Sequence, residues 1–246
     1  MVSAAVLCLF VVTGAALQRL SGTGVGLVVA PVAALLMGPV EGIVLTNVIT
    51  TASGFMLTLS VRRDVEWRRW GVLCASASAG VLAGALLVGS LPHAWLQILV
   101  GGVVLLSLGL TVSVRNPPFV PVVLGGVIAG ALGGFFNVTA GVAAAAMIIY
   151  ALMTRWEHRR YAATMQPTFM TLGAMSLIAK AATGSITALD ASFWLIPGVI
   201  TAVLIGGWLG KLATRTMPAG RARGIALTLA GIGAISTIAR GIMALG

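Results

Sequence analysis

Two short runs set small polar side chains among glycines inside otherwise apolar sequence: Ser21-Gly22-Thr23-Gly24-Val25-Gly26 and Asn137-Val138-Thr139-Ala140-Gly141. A helix that starts at such a break aims its unpaired N–H groups and its positive dipole end into the space before it. Gly24 to Leu27 and Thr139 to Val142 would present two such N-termini, with Gly22, Gly24, Gly26 and Gly141 leaving the backbone accessible. That chemistry suits an oxyanion. The expected donors are the backbone of Gly24, Val25, Gly26, Ala140 and Gly141 and the side chains of Ser21, Thr23, Asn137 and Thr139. The same glycines would also serve plain tight turns or close helix packing.

Three further residues belong to the candidate set. Arg19 precedes the first break, and its guanidinium suits a sulfonate or carboxylate if it lies at membrane depth, or an inner-face anchor if its segment spans fully. Asn47, with Thr46, Thr50 and Thr51 around it, and Gln166, with Thr164, Thr168 and Pro167, would line a cavity or hydrogen-bond between helices. Catalysis has no comparable constellation. His93 and His158 fall in separate loops, no HExxH, Walker A or GxSxG sequence occurs, and the five acids all lie in or beside loops. No metal or other cofactor is expected.

The elements that would position these residues are membrane helices. The 246 residues are 59% hydrophobic and only 8% charged, with a mean hydropathy of +1.08, against about 25% charged residues in a soluble domain. Apolar stretches leave no room for a separate soluble domain, so one membrane domain over 1–246 is expected. Its net charge of +10 does not point to nucleic acid, because 12 of the 15 Lys and Arg cluster in four short loops, the mark of the cytoplasmic side. Cys8 and Cys74 sit in apolar segments as small hydrophobes. The start resembles a signal peptide but lacks a basic leader, and it reads as a retained membrane segment.

Ten apolar segments follow: about 3–20, 26–37, 40–60, 71–90, 93–113, 119–135, 142–154, 162–183, 191–210 and 223–244. The second and seventh would be roughly 18 and 20 Å long, short of a hydrocarbon core of about 30 Å. Each therefore pairs with its predecessor as a re-entrant or broken hairpin. Gly80-x3-Gly84-x7-Pro92 recurs as Gly206-x3-Gly210-x7-Pro218, which divides the chain into repeats 1–114 and 119–246. Five segments per repeat invert the second copy, and loop charge agrees: 61–70 is basic whereas 184–190 has no cation. This topology puts both termini outside, Trp67, Trp70 and Trp156 at the inner interface, and Trp95 and Trp194 at the outer one.

These residues resemble the TauE/SafE family of sulfite and organosulfonate exporters, whose N-terminal pattern is roughly Gly-x-Gly-Gly-Gly-x4-Pro. Here it reads Gly22-Thr23-Gly24-Val25-Gly26 followed by Pro31, with Val25 at a glycine position. The second copy keeps only Gly141, replacing the other glycines with Asn137, Thr139 and Ala140. The resemblance implies a carrier of a small anion such as sulfite, sulfoacetate, thiosulfate or a carboxylate, in a bacterial inner membrane. Its expected surroundings are lipid, with no nucleic acid, and a homodimer is left open. The rival readings are an anion channel and a non-transporting subunit that packs through its GxxxG helices.

Overall fold

The computed structural model describes residues 2–21, 25–113, 117–184, 195–213 and 218–245. Ten helices lie among them: α1 (Val2–Ser21), α2 (Gly26–Met37), α3 (Pro39–Val61), α4 (Trp67–Ser90), α5 (His93–Ser113), α6 (Val122–Ala140), α7 (Ala144–Met153), α8 (His158–Ala182), α9 (Leu195–Ala213) and α10 (Ala219–Met243). No strand occurs among the described residues. The protein is all-α. Helices α3, α4, α5 and α6 and the Gly224–Met243 part of α10 are long and apolar enough to cross a membrane.

Helix α2 keeps its expected length and α7 is three residues shorter than its expected segment. At 12 and 10 residues, α2 and α7 reach only about 18 and 15 Å. Gly38 at φ 99° turns the chain from α2 into α3, where Pro39 opens the helix at a position that needs no N–H partner. Several boundaries differ from expectation, α8 and α10 among them, each starting four residues early, and two bear on the site. Helix α4 starts at Trp67, before the expected 71, so the basic aromatic run 67–70 is its first turn. Helix α6 runs through to Ala140, so Asn137 to Ala140 is its last turn and the break begins at Gly141. Thr139 stays helical because its hydroxyl donates back to the Phe135 carbonyl at 2.7 Å. Gly141 then takes a left-handed conformation, φ 71°, that glycine adopts without strain.

Small residues set the packing. A Cβ on Gly80 would meet the Ala131 carbonyl, and one on Gly84 would meet Val138, so α4 and α6 run parallel in close contact. Gly206 against Val12 and Ala15, and Gly210 against Ala16, bring α9 to α1 in the same way. Both GxxxG faces are thus occupied within the chain. Helices α3 and α8 cross antiparallel, Gly54 against Gln166 and Met170 and Gly173 against Asn47 and Thr51. Helix α10 lies on α5, with Gly101 against Ile238 and Gly241 against Ile98. Large apolar side chains such as Leu82, Leu86, Ile178 and Ile235 stay exposed, as a lipid-facing surface requires.

Tryptophans divide between surface and interior. Trp67 and Trp95 are exposed. Trp156 is buried between Tyr150 and Tyr161, with ring centroids at 5.5 and 5.7 Å. Trp194 lies outside the described residues.

Candidate functional site

The two breaks converge. Gly26, the first residue of α2, and Gly141, the cap of α6, are in backbone contact, because a Cβ on Gly26 would run into the Gly141 carbonyl oxygen. Thr46 of α3 flanks both glycines. A cavity of about 10 Å³ lies there, lined by Gly26, Thr50, Asn137, Ala143, Ala144 and Phe169 among others. That volume holds about one water. The first-turn N–H groups of α7, which starts at Ala144 on the wall of this cavity, have no partner within their helix.

Two buried amide pairs bracket the tips. Asn137 Nδ2 donates to Asn47 Oδ1 at 3.0 Å and to Ser176 Oγ at 2.9 Å, joining α6, α3 and α8. Gln18 Nε2 of α1 donates to Gln166 Oε1 of α8 at 3.0 Å, and Gln166 Nε2 donates to the Ala162 carbonyl at 3.0 Å. Asn47, Asn137 and Gln18 are at most 1% exposed. Asn47 Nδ2 and Gln18 Oε1 have no hydrogen-bond partner. Each pair therefore keeps one unmet polar atom beside it, at a position where desolvation makes a missing partner costly.

Beyond the Gln18–Gln166 pair the protein opens. A cavity of about 350 Å³ is lined by Gln18, Arg19, Asp64, Arg159, Gln166 and Lys211 among others, and a second of about 270 Å³ shares Arg19 and Lys211 with it. Both lie at the end where α1, α3 and α9 finish and α8 begins. Arg159 pairs with Asp64 at 2.9 Å. Arg19 is partly buried on this wall, so it faces a vestibule rather than the tip contact.

A polar cluster braces this end. Glu66 accepts from Trp156 Nε1 at 3.0 Å and from Arg69 Nε at 2.9 Å, while its N–H donates to Thr164 Oγ1 at 2.9 Å. The Arg69 guanidinium stacks 4.3 Å over the Trp156 ring. Glu157 pairs with Arg160 at 3.3 Å. The carboxylates thus serve loop-to-helix bracing.

A family model described as sulfite exporter TauE/SafE matches residues 6–237. The chain belongs to the TauE/SafE family. Its members are transporters rather than enzymes, and the helices of this TauE/SafE protein make it a multi-pass membrane protein. No curated protein and no solved structure matches the chain.

The TauE/SafE chain brings Gly26, Asn47, Asn137 and Gly141 together around the tips and puts Gln166 and Arg19 on the vestibule. Two expectations need correction. Ala140 lies within α6 and the Gly141 N–H bonds the Asn137 carbonyl at 2.8 Å, so neither offers a free backbone donor. Thr139 donates its hydroxyl to the Phe135 carbonyl and turns its methyl toward Gly84 of α4. Val25 caps α2: its carbonyl accepts from the Val28 and Val29 N–H groups, both at 3.1 Å, and its side chain packs by Gly14. Gly22, Thr23, Gly24 and the Ser21 side chain lie outside the described residues. Gln18, Ser176 and Lys180 escape the sequence reading. Only Lys180 carries a signal there, as a cation inside an apolar segment.

Proposed function

We propose that the chain exports a small sulfur-containing or organic anion, such as sulfite, sulfoacetate or thiosulfate, by alternating access around the two tips. The observation that carries this reading is the contact of Gly26 with Gly141 beside the Asn47–Asn137 amide pair. Breaks from both halves thereby supply helix N-termini and buried donors to one place. The family description supports an anion of the sulfite kind.

The architecture proposed is two inverted repeats, 1–114 and 119–246, each opening with a re-entrant hairpin, α1–α2 and α6–α7. Its support is reciprocal packing: α4 on α6 answers α9 on α1, and α3–α8 and α5–α10 are pairs of counterparts. The amide pairs answer each other as well, α3 with α6 and α8 with α1. The basic loops favour an orientation with the vestibule at Arg19 and Lys211 facing the cytoplasm of a bacterium and both termini outside. From that side an inside-negative potential drives an anion outward by about 2.3 kcal/mol per charge per 100 mV.

A tip cavity of about 10 Å³ favours a carrier over a channel, since sulfite enters only if the tips separate. Occupied GxxxG faces leave little for the reading of a packing subunit. A binding screen of sulfite, thiosulfate, sulfoacetate, taurine and simple carboxylates on the purified protein tests the anion reading. Binding of a cationic or neutral solute alone would sink it.

A further inference from the structure

Helix α8 carries a cation that the tip site and the vestibule leave unused. Lys180 stands two residues before the end of the helix, is 0% exposed, and its Nζ has no hydrogen-bond partner. No ion pair among the described residues reaches it. An apolar cluster, Val81 and Ala85 of α4, Val138 of α6, and Met175 and Ala179 of α8, packs along this part of α8. An interfacial lysine would lead its ammonium out to water, and a fully buried one does not. A charge held in such surroundings needs a compensating partner at some stage of the protein's work. In a membrane protein such a residue pairs with another charge or a backbone carbonyl, or marks a substrate or ion pathway.

Position identifies the partner's chemistry. Lys180 lies one turn beyond Ser176 on the same side of α8. Ser176 accepts from Asn137, which also donates to Asn47, whose own Nδ2 is unpartnered. Two buried donors without acceptors, one of them a lysine amine, thus lie on helices joined through Asn137. An oxyanion brings the acceptors and the negative charge that both lack. Helix α8 starts at the vestibule end, where Ala162 and Gln166 line the wall, so Lys180 occupies the opposite end of the helix.

We propose that Lys180 supplies the counter-charge for the transported anion at a second position beyond the tips, where one sulfite, sulfonate or carboxylate group bridges the Lys180 ammonium and the Asn47 amide. This rests on the reading of the chain as an anion carrier. The path then has a cation on each side of the tips, Arg19 in the vestibule and Lys180 at the far end, and the neutral amides lie between them. Asp190, the acid next along the chain, lies outside the described residues.

The test compares the full-length protein with K180M, a neutral side chain of similar length, in thermal unfolding and in calorimetric titration with sulfite and sulfoacetate. If the lysine waits for an anion, K180M unfolds at a higher temperature without ligand, loses most of the ligand-induced rise, and binds sulfite about tenfold or more weakly. Binding equal to that of the unsubstituted protein overturns the proposal. Failure to fold, or a lower unfolding temperature, overturns it too, because it reveals a lysine already paired for structure. If the unsubstituted protein binds none of these anions, the carrier reading itself fails, and the two failures are told apart.

Discussion

Gly26 and Gly141 touch through their backbones, so closely that a methyl on Gly26 would overlap the Gly141 carbonyl oxygen. One begins a short helix and the other ends a longer one from the opposite half of the chain. Backbone atoms on both sides leave little room to yield, unlike the end of a flexible side chain. The tips are therefore one mechanical unit, and whatever passes between them must part this contact.

Gly26→Ala is expected to cost about 1–3 kcal/mol by overpacking and to reduce sulfite transport more than tenfold. Gly102→Ala on α5 serves as the control, since a Cβ there meets nothing within 4 Å. Thermal unfolding and proteoliposome flux on both variants check this. Equal behaviour of the two would contradict the close tip contact.

The amide of Asn137 serves two acceptors on two helices. Asn137→Ala leaves Asn47 and Ser176 buried without it, a loss of about 1–3 kcal/mol. A double-mutant cycle with Asn47→Ala should give a coupling energy of about 0.5–3 kcal/mol. Purely additive losses would mean that the two side chains do not act as a pair.

Gln18 and Gln166 separate a structural role from a functional one. Gln166→Leu alone should destabilise the protein, because it strands the Gln18 amide in the interior. The double leucine variant should recover much of that stability, since removing both partners removes the unmet group. Anion binding should stay impaired in the double variant. Recovery of stability and binding together would mean that these amides only hold helices.

At the vestibule end, Glu66 and Asp64 should differ. Glu66 joins Trp156 and Arg69 with its side chain about one quarter exposed, and Glu66→Ala should cost about 1–3 kcal/mol. Asp64 pairs with an Arg159 side chain that is 74% exposed, so Asp64→Ala should cost less than about 1 kcal/mol. Chemical or thermal unfolding of the two variants decides the order, and a larger loss at Asp64 would reverse it.

The helices were legible because membrane segments announce themselves by length and apolarity, and the short α2 and α7 were legible as shortfalls of that length. The run from Asn137 to Ala140 misleads because Asn and Thr favour breaks only when their side chains compete with the local backbone. Here Asn137 finds Asn47 and Ser176 across helices, and Thr139 bonds its own preceding turn. Asn47 and Gln166 could be picked out as polar residues in apolar segments. Their partners Asn137, Ser176 and Gln18 could not be assigned, because pairing depends on the crossing of α3, α6, α8 and α1. Arg19 depended in the same way on whether α1 stops at membrane depth or crosses, which hydropathy does not tell.

Counterflow tests the central claim most directly. Proteoliposomes holding the purified protein are loaded with unlabelled sulfite and diluted into a trace of radiolabelled sulfite. An alternating-access carrier should accumulate label transiently above equilibrium, faster than empty vesicles, and Gly26→Ala should abolish the overshoot. Equal label entry into loaded and empty vesicles, despite measurable sulfite flux, would contradict alternating access and leave a channel.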